Sequence, residues 1–451
     1  MKIIIAGGGK IGRSVAEILA DEGHDITVID RNAELITQLS NALDVICVEG
    51  SASNADTLRE AGAAQADLLL AATQHDEVNM VCGISARHLG VKHVIARIRD
   101  PQYLNQNTFL SEALGLDLIV NPDYECAREV ARILRFPSAV RVDTFSKGSV
   151  EIVEHKVAEG SVLDGLQLKD LGARLGVRVL VSVAERGGEA FIPDGHFALR
   201  AGDRLSITGT VKELRRFFAA VGQLKKPVRQ VMIVGGSRSA VYLTRMLQES
   251  GMSVIVVEKD RARCDQLCDL LPDAHIVCGD ATRSDVLLED GLRSVDAFVA
   301  LTGEDGDNIV TAMYARQCSV PKIVVKVNRE HFAEILESSG IDSVVSPKEL
   351  VAEQLARYVR AMSNSAGSSM ETLYRLADGK IEALEFRVGE NAACTGKPLR
   401  SLKRKPNTLL AAIIRGSKSL LPDGDTVILP GDHAIIVSAA GKLKNLDDIL
   451  L

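Results

Sequence analysis

This chain is written twice, and that duplication restricts its fold more than any single motif. Displaced by 228 positions, the opening segment sets Gly7 on Gly235, Gly23 on Gly251 and Asp30 on Glu258. Displaced by 229, it sets Gly50 on Gly279, Thr73 on Thr302, Asn79 on Asn308 and Arg87 on Arg316. The same displacement lays the Pro-Asp-Gly of 193–195 on that of 422–424, and the Ala-Gly-Asp of 201–203 on the Pro-Gly-Asp of 430–432. The period is about half of the 451 residues, so a whole unit is repeated rather than a short solenoid element.

Each unit divides again. In residues 1–136 the short apolar runs KIIIAG, ITVID, VICVEG, DLLLAAT, HVIARI and DLIVNP alternate with helical segments. That alternation predicts βαβ crossovers and a buried parallel sheet. Residues 141–222 instead carry the alternating stretches SVEIVEHKV, VRVLVSVAE and DRLSITG between Gly- and Pro-rich turns, which predicts a small α+β module. In the second copy SNSAGSSM, residues 363–370, has the composition of a linker. It separates a large domain at 228–362 from a small one at 371–451. The expected class is therefore α/β, with two Rossmann-like doubly wound parallel-sheet domains, each followed by a small α+β domain.

Composition excludes several functions. Aromatic content is 4% with no tryptophan, and the formal charge is −7, which argues against a base-stacking or phosphate-backbone surface for nucleic acid. The short basic runs Lys225-Lys226 and Lys403-Arg404-Lys405 read as solvated loops. The eight cysteines form no Cys-x-x-Cys pair, so neither a zinc knuckle nor a disulfide framework is indicated, and they read as buried reduced thiols. No apolar run approaches the ~18 residues that span a bilayer, and the first residues lack a secretory apolar region. A soluble cytoplasmic protein is expected.

The chemistry concentrates in one loop. Gly7-x-Gly9-x-x-Gly12 follows the first strand and opens a helix, and Asp30 closes the second strand. Gly7 permits the tight turn, Gly9 lets backbone approach a pyrophosphate on the helix N-terminus, and Gly12 lets helix and strand pack closely. Gly8, Lys10 and Ile11 complete the loop. Asp30 is placed to accept from the ribose hydroxyls of an adenosine and so favours NAD over NADP, with Arg31 beside it as a counterweight. In the second copy the loop reads Gly235, Gly236, Ser237, Arg238, Ser239, and Ala240 takes the place of Gly12. The acid persists as Glu258, followed by Lys259. A Cβ at Ser237 intrudes where a pyrophosphate comes closest, while Arg238 offers it a charge. The second site is thus expected to bind a nucleotide differently, more weakly or not at all.

Matched positions point to the same crevices. Ser51 and Asp280 follow the third strand of each copy, where an adenine would lie. Thr73 and Thr302 stand beyond the fourth strand, at the carboxyl end where open α/β sheets bind ligands. Arg97 and Lys326 end the fifth strand, and Arg99, two residues on, shares a face with Arg97, so these cations are candidates for further phosphates. No catalytic residue or metal site is assigned. There is no Gly-x-Ser-x-Gly elbow, no Walker lysine and no His-Glu-x-x-His. The alternative reading, an NAD-dependent oxidoreductase, rests on His75 near Thr73, whose equivalent in the second copy is Glu304.

The runs GGGKIG, IDRN, AATQHDEVN and IARIRDP, set in this order of four domains, resemble the RCK (or KTN) regulators of potassium conductance. The tandem arrangement is similar to that of the peripheral subunits of bacterial Trk potassium-uptake systems, over essentially the whole chain. The resemblance implies a non-enzymatic protein on the cytoplasmic face of the inner membrane, docked on a potassium-translocating subunit of the TrkH/TrkG type. It implies a homodimer or dimer of dimers, NAD or NADH as ligand, and ATP and ADP as competing nucleotides. For the second copy it transfers only to Gly235, Glu258, Asp280 and Thr302.

Overall fold

The computed structural model describes residues 1–104, 107–135, 142–145, 150–222, 226–329, 332, 335–336, 339–341, 343–364, 370–377, 380–390, 392–416, 418–439, 443 and 445–451. The domain limits expected at 136 and 141, and 365–369 of the expected linker, lie outside the described residues.

The first large lobe contains β1 (Lys2–Ala6), α1 (Lys10–Asp21), β2 (Asp25–Asp30), α2 (Ala33–Ala42), β3 (Ile46–Glu49), α3 (Ala55–Glu60), β4 (Leu68–Ala71), α4 (Asp76–His88), β5 (His93–Arg97), α5 (Pro101–Leu104), α6 (Asn107–Leu114), β6 (Leu118–Val120) and α7 (Pro122–Arg135). All six expected strands are present. They form one parallel sheet in the order β3-β2-β1-β4-β5-β6. The direction of winding reverses between β1 and β4, which opens a crevice at their carboxyl ends. Ile3, Ile4, Ile5 and Ala6 of β1 and all of β4 are buried, as expected where crossovers cover both faces of a sheet. On α1 the buried residues are Gly12, Val15, Ala16 and Leu19, a stripe at helical spacing that seats the helix on the sheet.

The first small domain has β7 (Val142–Phe145), β8 (Val150–Lys156), α8 (Leu168–Leu175), β9 (Leu180–Arg186), β10 (Glu189–Phe191), β11 (Arg204–Gly209) and α9 (Val211–Ala220). Its sheet is antiparallel in the order β10-β9-β11-β8-β7. The edge strands β7 and β10 add to the three strands expected from sequence. They are four and three residues long, too short to carry an alternating pattern.

The second large lobe repeats the first with β12 (Gln230–Val234), α10 (Arg238–Glu249), β13 (Ser253–Glu258), α11 (Arg261–Leu270), β14 (His275–Cys278), α12 (Ser284–Glu289), β15 (Ala297–Ala300), α13 (Asp305–Gln317), β16 (Lys322–Lys326) and β17 (Val344–Val345), followed by the helix Pro347–Asn364. Its order, β14-β13-β12-β15-β16-β17, is that of the first lobe. The second small domain, β18 (Met370–Leu376), β19 (Ile381–Arg387), β20 (Thr408–Arg415), β21 (Lys418–Leu420) and β22 (His433–Ser438), likewise repeats its counterpart as β18-β19-β22-β20-β21. Duplication extends to ion pairs made by buried aspartates. Arg186 grips Asp203, and Arg415 grips Asp432, each through two hydrogen bonds of 2.8 Å. The Gly-Asp turns shared by the two copies are therefore anchors of the small sheets.

Contacts divide the chain into two compact units. One holds both parallel sheets, Met1–Ala131 with Arg229–Ala356, and the other both antiparallel sheets, Arg132–Val228 with Arg357–Leu451. Cys82, Cys126, Cys264 and Cys394 are buried thiols, as expected. Cys268 and Cys278 are exposed, contrary to that expectation, because α11 and the end of β14 turn them outward.

Candidate functional site

The glycine loop is shaped by contacts that leave no room for side chains. Gly7 has φ +107°, and a Cβ there would stand 2.9 Å from the carbonyl of Ala72 and the nitrogen of Thr73. A Cβ on Gly12 would fall 1.8 Å from the carbonyl oxygen of Gly7. Gly9 differs, since a Cβ there would meet nothing within 4 Å. Gly9 is also the N-cap of α1 and offers no side-chain acceptor, so the first backbone N–H groups of the helix face open space. That arrangement fits an anion resting on the helix N-terminus.

Asp30 braces this loop from β2. One carboxylate oxygen accepts from the Gly8 nitrogen at 2.8 Å and the other from the Asn32 nitrogen at 2.9 Å. Arg31 donates to the hydroxyl of Ser51 at 2.6 Å. Gly7, Gly9, Asp30, Arg31, Thr73 and His75 line a cleft of about 320 Å³, together with Gly50 and Ala52 on either side of Ser51, which itself is not part of the lining. A dinucleotide's adenosine half and pyrophosphate match this lining: a carboxylate for ribose hydroxyls, an open helix end for phosphate, and apolar Ile29, Leu35 and Val78 for a base.

Asn79 and Asn308 coincide in the sequence repeat, which assigns neither a role. In the structure Asn79 is fully buried and fixes the cleft's rim. Its side-chain oxygen accepts from the Thr73 nitrogen at 2.9 Å and from its hydroxyl at 2.7 Å, while its amide donates to the carbonyls of Thr73 and Arg97 at 3.2 and 2.8 Å. Asn308 makes the same four bonds, to Thr302 and the carbonyl of Lys326. The match at a spacing of six residues from each threonine was the available signal.

The second cleft is of the same size, about 320 Å³, and its chemistry differs. Gly235, Gly236, Ser237, Glu258, Lys259, Asp280 and Thr302 all line it. Glu258 braces the loop as Asp30 does, accepting from Gly236 at 2.6 Å and Asp260 at 2.8 Å. Ser237 has nearly the backbone geometry of Gly9, but its hydroxyl accepts from the Ala240 nitrogen and so caps α10 with the chain's own oxygen. Four carboxylates, Glu258, Asp280, Glu304 and Asp307, face this cleft against the single Lys259, whereas the first cleft sets Asp30 against Arg31. The Thr282 hydroxyl and backbone nitrogen hold Asp280 below the usual carboxylate range, so it is charged. A polyphosphate meets repulsion here that it does not meet in the first cleft.

The remaining candidates are directed elsewhere. Arg97 donates to the carbonyl of Thr73 at 2.6 Å, beneath the rim, and burial followed by repulsion from Arg99 pulls its guanidinium down to about 10. Lys326 reaches the carbonyl of Leu301 at 3.3 Å, and burial lowers its ammonium in the same sense. Arg99 pairs with Asp123 at 2.7 Å. Ser239 donates to the other oxygen of Asp123 at 3.0 Å, so it joins the two lobes and does not touch the second cleft. Tyr242 packs edge-on against Tyr124 beside it. Arg238 lines neither glycine-loop cleft, and neither does Ile11, while Lys10 lines a separate cleft with Arg13, Glu304 and Lys348. Arg97, Lys326 and Arg99, which the sequence offers as candidates for phosphate, contact two carbonyls and a carboxylate 24 or 25 residues away.

His75 does line the first cleft, as the oxidoreductase alternative requires. Its ring is exposed and has no hydrogen-bond partner among the described residues, so nothing holds it as an oriented acid or base.

Known proteins account for this architecture. The TrkA-N domain model matches residues 3–122 and 231–347, and the TrkA-C domain model matches 152–222 and 383–451. The Trk system potassium uptake protein TrkA homolog of Archaeoglobus fulgidus is 32% identical over 450 residues, covering 100% of both chains. The TrkA of Vibrio alginolyticus is 32% identical over 440 residues, covering 97% of this chain and 95% of its own. The GsuK channel bound to NAD superposes with a TM-score of 0.63 at 20% identity, covering 97% of this chain and 77% of that one. The GsuK RCK domain gives 0.62 at 20% identity, with 97% and 92% covered, and both likenesses speak to fold. With both domain models matched in both halves and relatives aligned end to end, the chain belongs to the TrkA family, the regulatory RCK-domain proteins of Trk potassium-uptake systems.

Proposed function

We propose that this chain gates a membrane potassium-translocating partner in response to NAD or NADH held in the first cleft, with ATP and ADP as competing ligands. The observation that carries the reading is the open N-terminus of α1 over Gly9 with Asp30 beside it, in a chain aligned end to end with Trk uptake proteins. In this role Gly7 and Gly12 hold the loop against β1 and β4, the first N–H groups of α1 receive the pyrophosphate, and Asp30 accepts from the ribose. The nicotinamide's redox chemistry is not used. Occupancy instead biases the packing of the large lobes, and the chain acts as a regulator without catalysis. A structural neighbour, the GsuK channel, is bound to NAD, which supports such a ligand.

The two clefts need not be equivalent for this purpose. A ligand that prefers one arrangement of the lobes a hundredfold supplies about 2.7 kcal/mol, within the usual range of allosteric coupling. The altered second cleft either takes a different ligand or serves as scaffold. The partner is a TrkH/TrkG-type subunit, and the chain works as a homodimer or dimer of dimers on the cytoplasmic face of the membrane. Tagged full-length protein, incubated with detergent-solubilised membranes of its host, is expected to retain a potassium-translocating membrane protein identified by mass spectrometry. Recovery of soluble metabolic enzymes alone would overturn the gating role.

A further inference from the structure

The second lobe carries a pair of cysteines that the first lobe lacks. Cys264 lies on α11 and is 3% exposed, and its thiol donates to the carbonyl of Glu258 at 3.2 Å. Cys278 ends β14, paired in register with Glu258 of β13, and is exposed. Both cysteines therefore adjoin Glu258, Cys264 through its carbonyl and Cys278 through the strand register. At the equivalent positions of the first lobe stand Ile36 and Glu49, which have no redox chemistry. A third cysteine, Cys268, lies one helical turn beyond Cys264 and is exposed. No metal-ligating cluster of His, Cys, Asp and Glu occurs among the described residues, so a metal does not account for the grouping.

We propose that Cys264 and Cys278 form a redox-modification site, a dithiol that a low-molecular-weight disulfide converts to an intramolecular disulfide beside the second cleft. The division of labour follows from exposure. Burial first, and then the neighbouring Cys278 thiol, hold the Cys264 thiol well above the ordinary cysteine range, so it is the poorer initial nucleophile. Cys278, open to solvent, attacks the small disulfide as a thiolate, forms a mixed disulfide and expels one small thiol. Cys264 then releases its proton, attacks the Cys278 sulfur and expels the second. The protein loses two electrons and two protons, and the small disulfide is reduced to two thiols. The product joins α11 to β14 and removes the hydrogen that the Glu258 carbonyl accepts, next to Gly279 and Asp280 of the cleft wall. The site is independent of which ligand the cleft takes.

The test is to equilibrate full-length protein with glutathione disulfide, quench in acid, alkylate the remaining thiols and digest before aspartate. Asp265, Asp269 and Asp273 separate the three cysteines onto different peptides. A link between the Cys264 and Cys278 peptides, with Cys268 alkylated, is expected. The link should form unchanged in Cys268→Ser, and Cys264→Ala should accumulate glutathione on Cys278 instead. Full alkylation of all three thiols in the wild-type protein, or a dominant Cys268–Cys278 link, would overturn the proposal without reliance on any variant.

Discussion

Replacing Gly9 with serine separates binding from folding. Gly9 has φ −67° and ψ −167°, and Ser237 at the matching place has φ −65° and ψ 170°, so a side chain is accommodated there without backbone strain. The added Cβ meets nothing within 4 Å, and the new hydroxyl can cap α1 as Ser237 caps α10. Exchanging glycine for serine at an N-cap changes stability by only a few tenths of a kcal/mol. The same atoms, however, occupy the space over the helix N-terminus and take a backbone N–H that a phosphate would use. A helix-end anion contact is worth up to about 2 kcal/mol, so NADH affinity should fall roughly thirtyfold. Calorimetric titration of full-length Gly9→Ser with NADH, alongside its unfolding midpoint, reads both quantities. A folded variant that binds NADH with the wild-type Kd would refute the placement of the pyrophosphate. The reverse exchange, Ser237→Gly, should not by itself create tight NADH binding, because four carboxylates still face the second cleft.

Asp30→Ala removes the acceptor of the Gly8 and Asn32 nitrogens and of the ribose, and NADH binding measured by calorimetry should weaken by about 1.5–3 kcal/mol. Asn79→Ala strips four hydrogen bonds from the rim of the first cleft and leaves the Thr73 nitrogen and the Arg97 carbonyl without their side-chain partner. A loss of roughly 2–4 kcal/mol in denaturant unfolding is expected, and a similar loss for Asn308→Ala. Glu151, 4% exposed on β8, is pushed up to about 7 by burial, against the opposing pull of Arg135 and Arg132. Between pH 4.5 and 7 the native side chain holds a proton that the unfolded chain has released, so stability falls as pH rises through that window. Thermal unfolding of Glu151→Gln should show a flatter profile there and a higher midpoint above pH 7; an unchanged profile would refute the assignment.

Periodicity and repetition made the large lobes legible. Six apolar runs gave six strands, and the glycine loop followed by Asp30 located the crevice, because both signals are local in sequence. The short edge strands β7 and β10 escaped for the opposite reason, since pairing with longer neighbours defines them. The cations at the ends of β5 and β16 were placed correctly along the chain, but their partners could not be anticipated. Arg99 finds Asp123 across 24 residues, and Asp123 finds Ser239 across 116, and only the folded topology brings such groups together. The direction of the Ser239 side chain is set by lobe packing, which no loop motif encodes. Asn79 was visible as a repeated letter, and its task became evident only with the carbonyls it bonds.

The asparagine clamp has a mechanical consequence. Thr73 is bolted through Asn79 to the last carbonyl of β5, and two residues on, the chain reaches Asp123 and, through it, Ser239 of the other lobe. The rim of the cleft is consequently not a flap that closes over a guest. It is the near end of a short stiff strut whose far end rests on the neighbouring lobe, so a load applied at Thr73 is borne at the joint between lobes.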